Sequence, residues 1–217
     1  QIQLAGGKNR SSKEGVDIAK MKLPPYYPNT DVMREDWARY LGSWVLVDHK
    51  VKGIISDLKK SGELENTYIF FWTDHGVSHI RGKQFLYEEG IQVPLIVRFP
   101  NKQNANTVRQ DMVSHIDIPV TSLELAGIKV PEYMQGKSIF RKDYKQQPYI
   151  FTARDRCDET VDILRSVRTK DFKYIRNFLP HCSHMQRSQY KESKSIVKEA
   201  KELFAKGQLN KIQEKPF

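Results

Sequence analysis

The chain has 217 residues, of which 39% are hydrophobic and 29% are charged, a balance typical of a folded globular protein with one large domain or one and a half small ones. It contains no apolar run near the roughly 18 residues that a membrane span requires, and no recognisable signal peptide. A net charge of +10 favours polyanionic partners such as nucleic acid, anionic lipid or a sulfated glycan. Nucleic acid is disfavoured, because the sequence has no zinc-finger spacing, no RNP-like aromatic motif and no arginine-rich helix.

The first thirty residues are polar and rich in turn-forming residues. The chain starts at Gln1 rather than Met and continues into a loop-like segment, Ala5–Ser12, so we expect it to begin inside a longer protein. The stretch Leu23–Pro28 predicts an extended connection, because proline fixes φ and disfavours helix at the residue before it.

A long amphipathic helix is predicted from Thr30 onward. Thr30 or Asp31 suits its N-cap, and Ser61-Gly62 suits its end. Apolar residues recur along it at three- and four-residue spacing, which predicts a stripe that covers one face of a sheet. These residues are Trp37, Leu41, Trp44, Val51, Ile55 and Leu58.

Two apolar runs, Tyr68–Trp72 and Leu95–Phe99, predict strands that are buried on both faces and have parallel neighbours. Asp74-His75-Gly76 follows the first strand closely. Open α/β sheets place their chemistry at the carboxyl ends of strands, so the loop between the two runs is the candidate site. Its other charged or ionisable residues are His79, Arg81, Lys83, Glu88 and Glu89.

This loop resembles the second metal-binding segment of the formylglycine-dependent sulfatases, within the alkaline-phosphatase superfamily. The Asp-His-Gly triplet is shared across that superfamily, whereas the Gly-Lys pair with the Tyr-Glu-x-Gly-Ile-x-Val-Pro run is specific. The resemblance reaches to about Phe178, and bacterial heparan N-sulfatase-like sulfatases are the most similar group. The residues that carry it are Asp74-His75-Gly76, Gly82-Lys83, Tyr87–Ile91 and Val93–Ile96.

The order of elements and the resemblance together imply an α/β fold. Residues 1–130 are expected to form the C-terminal part of a wound, mostly parallel sheet with flanking helices. Within them, Val113–Ile118 predicts a strand or a strand-to-helix corner, and Pro119 then opens a short helix that Gly127 ends. Residues 131–217 are expected to form a small antiparallel subdomain with a terminal helix.

Three short strands are predicted in that subdomain: Tyr149–Ala153, Val161–Arg168 and Phe172–Arg176. Alternation in the last two, with a polar turn between them, indicates an antiparallel hairpin. A charged helix is predicted from Ser188 to Lys206. Its lysines, together with one beyond it, are expected on a solvated face, and they are Lys191, Lys194, Lys198, Lys201, Lys206 and Lys211.

Hydrolysis of a sulfate ester requires cations to neutralise the transition state, an activated nucleophile and protonation of the leaving group. The resemblance implies one calcium ion with Asp74 and His75 as ligands; the alternative is that both residues cap the following turn. It also implies that Lys83 contacts a sulfate oxygen and acts in catalysis; the alternative is an exposed loop lysine. The resemblance implies that Glu88 and Glu89 are structural; the alternative is a general acid/base pair.

A second group of charged residues, Arg154 to Glu159, lies at the end of a predicted strand. Arg154 and Arg156 are candidate substrate contacts, because guanidinium groups bind sulfate and carboxylate in a bidentate manner. A structural salt-bridge cluster is the alternative. The two cysteines, Cys157 and Cys182, fit neither a disulfide framework nor a CxxC metal site.

The family's nucleophile, formylglycine, is made from the first residue of a Cys/Ser-x-Pro-x-Arg motif, and neither Cys157 nor Cys182 stands in one. We therefore expect the C-terminal portion of a sulfuric ester or sulfamate hydrolase that acts on a sulfated carbohydrate, inactive in isolation. The alternatives are a phosphodiesterase or phosphomutase of the superfamily, or a non-catalytic polyanion-binding module. The family implies a periplasmic or extracellular location, and the oligomeric state stays open.

Overall fold

The computed structural model describes residues 15–217, so the predicted loop Ala5–Ser12 lies outside the described residues. Within the described part, the chain divides into two compact units. The first comprises residues 15–105, 158–160 and 181–217, and the second comprises residues 106–157 and 161–180. This division differs from the boundary predicted after residue 130. None of the described helices has the length and apolar character that a membrane span needs.

The first unit contains the long helix α1 (Asp31–Lys60), as predicted. The Thr30 hydroxyl accepts a hydrogen bond from the Met33 N–H at 3.3 Å, which satisfies one of the unpaired donors of the first turn. After the C-cap Ser61, Gly62 adopts a φ of +78°, a conformation that ends helices and that glycine adopts at little cost.

Strands β1 (Ile69–Trp72) and β2 (Leu95–Arg98) pair antiparallel, so the predicted parallel arrangement of this pair is wrong. The reason lies in the connection between them. The Gly76 N–H donates to the Gly90 carbonyl at 3.0 Å, so the loop returns to the strand end from which it left. The only helix in it, α2 (Glu88–Ile91), has 4 residues and makes no crossover of the kind that parallel strands require. Burial on both faces is also wrong, since Ile96 is 63% exposed.

The single charged helix predicted near the C-terminus is two helices, α4 (Gln189–Glu192) and α5 (Ser195–Ala205). The break falls at Lys194, whose backbone is extended. The Ser193 hydroxyl donates to the Tyr190 carbonyl, so a side chain competes with the helical ladder there. Helix α5 packs against α1, and the Thr30 hydroxyl donates to Glu199 at 2.6 Å, which explains why this segment belongs to the first unit.

The core of the first unit lies between the segment before α1, the loop between the strands, and α5. Its members are residues whose side chains are almost completely buried. They are Tyr27, Met33, Ile80, Phe85, Met185, Ile196, Val197 and Ala200.

The second unit contains helix α3 (Asp117–Leu125) and a sheet of strand order β3-β4-β5. The strands are β3 (Ile150–Cys157), β4 (Thr160–Arg168) and β5 (Lys173–Asn177). The predicted antiparallel hairpin is confirmed, with Arg168 opposite Lys173. Residues 113–116 form no strand; 113 and 114 are irregular and 115–116 turn into α3, as in the predicted strand-to-helix corner. Asp117 is buried and accepts hydrogen bonds from the Ser114 and Lys137 N–H groups, which fixes that turn.

Candidate functional site

The loop between β1 and β2, Thr73–Pro94, is a compact structure held by its own backbone. Besides the Gly76–Gly90 bond, the Lys83 N–H donates to the Val77 carbonyl at 2.7 Å. Val77 directly follows the Asp74-His75-Gly76 triplet, so this bond brings the backbone of Lys83 beside the triplet. The same loop therefore holds the three predicted residues Asp74, His75 and Lys83.

Two glycines of this loop allow its backbone to pack so closely. A Cβ atom at Gly76 would lie 1.7 Å from the Glu89 carbonyl oxygen, and a Cβ at Gly82 would lie 1.7 Å from the Val77 carbonyl oxygen. Both distances are far shorter than any van der Waals contact. The glycines of Asp-His-Gly and Gly-Lys are thus required by the loop's own packing.

Asp74 and His75 are consecutive residues of the loop, just after the end of β1. The Asp74 side chain is 87% exposed and that of His75 is 34% exposed. His75 Nδ1 lies 2.8 Å from the Gly76 carbonyl oxygen, and because a carbonyl only accepts, this bond assigns the proton to Nδ1. In the neutral ring, Nε2 then carries a lone pair, and it lies 3.7 Å from Asp74 Oδ2.

Two acceptor atoms 3.7 Å apart are close enough to share a cation. A histidine that donates its other ring N–H to a backbone carbonyl has the usual orientation of a metal ligand. Across residues 15–217, however, no group of three or more histidine, cysteine, aspartate or glutamate side chains is placed to hold a metal ion. Asp74 and His75 thus fit a cation as a partial set of ligands.

Lys83 lies at the surface of the loop, with its ammonium group 4.8 Å from the centre of the Tyr190 ring. The Tyr190 hydroxyl lies 2.7 Å from Ser78 Oγ, so the loop and helix α4 are joined at this point. Lys194 approaches the same ring, at 5.0 Å from its centre. The predicted sulfate-binding lysine therefore belongs to a small cationic cluster that includes residues more than a hundred positions away in sequence.

His79, which sequence reasoning left without a role, anchors the loop from within. Its side chain is buried, and Nε2 lies 2.6 Å from Asp36 Oδ2 of α1. The ring is surrounded by those of Tyr27, Trp37 and Tyr40.

Lys191 also supports this anchor. Its ammonium group donates to the His79 carbonyl oxygen, and the residue is only 2% exposed. The prediction of a solvated Lys191 is therefore wrong, because this contact draws the side chain into the core between the loop and α4.

Glu89, one of the two glutamates of α2, makes a contact that helps to hold the loop in place. Tyr26 hydrogen-bonds to Glu89, and burial, with this bond as a second cause, raises the pKa of Tyr26 far above its usual range. Arg81 lies over the rings of Tyr26 and Tyr87, at 4.8 and 4.1 Å from their centres. Both Glu89 and Arg81 thus tie the loop to the segment before α1.

A cleft of about 370 Å³ opens beside the triplet. Trp37, Tyr40 and Trp44 of α1 form one wall, and His75 lies on another. The imidazole is therefore accessible from solvent through an aromatic-lined opening.

The other predicted site residues, Arg154 and Arg156, belong to the second unit. Arg154 is buried, and its Nη1 lies 3.2 Å from Asp162 Oδ2. Burial lowers the pKa of Arg154, and the Asp162 carboxylate opposes that effect. For Arg154 this is the arrangement expected of a structural salt bridge, whereas Arg156 is exposed. Cys157 and Cys182 are free thiols.

Comparison with known families gives two overlapping matches. The family model described as Sulfatase matches residues 8–128, and the model described as N-sulphoglucosamine sulphohydrolase, C-terminal, matches residues 75–215. The chain belongs to the sulfatase family. Both matched spans include Lys83, and the first includes the whole Asp74-His75-Gly76 triplet.

Among curated sulfatases, an ulvan-active sulfatase of Formosa agariphila is 39% identical over 196 residues, which are 89% of this chain and 33% of that protein. An extracellular sulfatase SULF-1 homolog of Drosophila melanogaster is 38% identical over 43% of this chain and 9% of its own length. An N-acetylglucosamine-6-O-sulfatase of Bacteroides thetaiotaomicron is 30% identical over 63% of this chain and 27% of its own. The chain thus spans a third or less of these relatives.

The sequence predicts the triplet and the Gly-Lys pair of this loop, but not the residues of other elements that contact the loop. The triplet and the Gly-Lys pair stand in a short, patterned stretch next to a strand, so their sequence spacing was informative. Asp36 and Tyr190 come from helices α1 and α4 and Lys194 from the break between α4 and α5, and they join the loop only in the folded chain. Single aspartate, tyrosine and lysine residues on predicted helices carry no sequence signal of such contacts.

Proposed function

We propose that the protein to which this chain belongs hydrolyses a sulfate ester or sulfamate on a sulfated carbohydrate. The observation that carries the proposal is that both sulfatase family matches include Lys83 and at least residues 75–94 of the folded loop. The matched family name and one relative's name refer to sulfated forms of glucosamine, which supports a sugar substrate. A basic chain, with a net charge of +10, suits such an anionic ligand.

Asp74 and His75 are the residues that would hold the family's calcium ion. The exposed Asp74 carboxylate offers the oxygen donors that calcium prefers, and the Nε2 lone pair of His75 faces the same space. When bound, a calcium ion would supply positive charge that stabilises the sulfate group. Since two residues make a partial set, further ligands are required for tight binding.

Lys83 would bind a sulfate oxygen of the substrate and stabilise the charge that develops during cleavage. Its ammonium group is a compact point charge on a mobile stem, which suits a tetrahedral anion. Among the described residues no carboxylate lies within ion-pair distance of it, so its charge is available for an anion. Arg156 is a further candidate contact to substrate, whereas Arg154 would position its strand through Asp162.

The nucleophile would be a formylglycine residue from a Cys/Ser-x-Pro-x-Arg motif, which these 217 residues do not contain. We further propose a periplasmic or extracellular site of action. One of the relatives carries the word extracellular in its name, which supports this location.

The direct test is sulfate release by the protein that contains this chain. Glucosamine 6-O-sulfate and glucosamine 2-N-sulfate would be incubated with it, and free sulfate measured by ion chromatography. Bis(p-nitrophenyl) phosphate serves as the comparison substrate. We expect sulfate release to exceed phosphodiester cleavage by orders of magnitude. The reverse preference would reject the proposal in favour of a phosphodiesterase.

A further inference from the structure

The ring of Tyr190 lies within cation–π distance of two lysines. The ammonium nitrogen of Lys83 lies 4.8 Å from the ring centre, and that of Lys194 lies 5.0 Å from it. The ring is held in place by its hydroxyl, 2.7 Å from Ser78 Oγ. All four residues belong to the first unit.

The charges of this cluster are not neutralised by the acidic residue that lies nearest in sequence. Glu192 accepts from Lys201 at 2.6 Å and lies 3.6 Å from Arg187. In the described part of the chain no carboxylate comes within ion-pair distance of Lys83 or Lys194. Two like charges held near one ring repel each other, and a bound anion would relieve that repulsion.

The cluster is also open to a ligand. Tyr190 is 36% exposed, and Ser78, Lys83 and Lys194 are all half-buried. Lys191, the neighbouring lysine of α4, behaves differently, because it is buried and donates to the His79 carbonyl. Lys191 thus makes a structural contact, whereas Lys194 of the same segment remains partly accessible to solvent.

We propose that Tyr190 and Lys194 form a second anion subsite next to Lys83, which binds an additional sulfate or carboxylate group of the sugar. Lys194 contacts that group directly. Tyr190 is a positioning residue, since it holds both ammonium groups by its ring and is itself fixed by Ser78. The proposal rests on the proposed function, in which Lys83 meets the sulfate that is cleaved, and it makes Lys194 a determinant of specificity for substrates with two anionic groups.

The test compares two substrates, glucosamine 2-N,6-O-disulfate and glucosamine 6-O-sulfate, in the protein that contains this chain. The quantity measured is the ratio of their kcat/KM values. Lys194→Ala is expected to lower this ratio about tenfold, because it removes one hydrogen bond to a charged group of the disulfate. Lys194→Arg should restore most of it. Lys198→Ala removes the same charge from an exposed position on α5 and should leave the ratio unchanged.

Tyr190 is tested by a pair of variants. Tyr190→Phe keeps the ring and loses the bond to Ser78, so the ratio should fall by less than threefold. Tyr190→Ala removes the ring and should raise KM for the disulfate more than it lowers kcat. If Tyr190→Ala fails to fold, Lys194→Ala still tests the subsite. The Lys194 side chain makes no capping hydrogen bond to α5, so its removal should not disturb the start of that helix.

The outcomes separate this subsite from the proposed function. If the protein releases sulfate from both sugars but Lys194→Ala keeps the ratio, the subsite is wrong and the proposed function stands. If the protein releases no sulfate from any sugar, the proposed function is wrong. Calorimetric titration with the disulfate then decides the subsite: equal affinity of wild type and Lys194→Ala would overturn it, and a tenfold loss would support it.

Discussion

His79 and Lys83 lie four positions apart in one loop and have opposite surroundings. His79 is buried among three aromatic rings with the Asp36 carboxylate 2.6 Å away, whereas Lys83 is half-buried and its ammonium group lies over the Tyr190 ring. A buried polar group is tolerated when it is hydrogen-bonded. His79 therefore anchors the loop to α1, and Lys83 is the residue of the two that can meet a ligand.

Removal of the Asp36 carboxylate should weaken the contact by which His79 holds the loop to α1. Asp36→Ala leaves His79 Nε2 buried without its acceptor, which costs about 1–3 kcal/mol of unfolding free energy. Asp57→Ala is the matched control on the same helix, because Asp57 and Lys60 form an exposed pair at 3.7 Å that contributes little. Urea denaturation of both variants measures the difference. Equal stabilities would show that the Asp36–His79 contact does not hold the loop.

At the scale of elements, α1 and the β4–β5 hairpin were predictable because their signals are local. Thr30 and Ser61-Gly62 mark the ends of α1, and alternation with a polar turn marks the hairpin. The orientation of β1 and β2 was not predictable in this way. It is set by the Gly76–Gly90 hydrogen bond, which turns the loop back on itself, and no pattern within either strand encodes it.

Two glycines give a sharp test of the loop's packing. Gly82→Ala places a Cβ 1.7 Å from the Val77 carbonyl oxygen, so the loop must open and the chain should lose stability. Gly53→Ala on α1 meets nothing within 4 Å and should gain about 0.5–1 kcal/mol, because alanine favours helix over glycine.

Thermal unfolding followed by circular dichroism compares the two variants with the parent chain. We expect the Tm to fall for Gly82→Ala and to rise for Gly53→Ala. A Gly82→Ala protein as stable as Gly53→Ala would mean that the close approach of Gly82 and Val77 is not required.

At the scale of the whole chain, the described sheet of the first unit is small and partly uncovered. Strands β1 and β2 pair only with each other within residues 15–217, and Trp72 and Ile96 are 43% and 63% exposed. Unpaired strand edges and exposed apolar side chains promote association between chains.

The isolated 217-residue chain is therefore expected to self-associate. Size-exclusion chromatography with light scattering should detect oligomers whose proportion rises with concentration. Ile96→Lys should reduce the proportion of oligomers, because a charge at an exposed strand position opposes edge pairing. Ile54→Lys is the control: it adds the same charge at an exposed position of α1, away from the strands, and should have a smaller effect. A monodisperse wild-type monomer at high concentration would contradict this expectation.

We propose that one loop performs two tasks: Asp74 and His75 bind a calcium ion, and Lys83 binds the sulfate. Sulfate release and calcium affinity should be measured together in the protein that contains this chain, for wild type, Asp74→Ala, Lys83→Ala and Lys83→Arg. Lys83→Ala should lower turnover by about 10²–10³ and leave calcium affinity nearly unchanged, and Lys83→Arg should rescue little. Asp74→Ala should lower both quantities. Near-normal turnover of Lys83→Ala, or calcium affinity unchanged by Asp74→Ala, would show that the loop does not bind the sulfate and the calcium ion in this way.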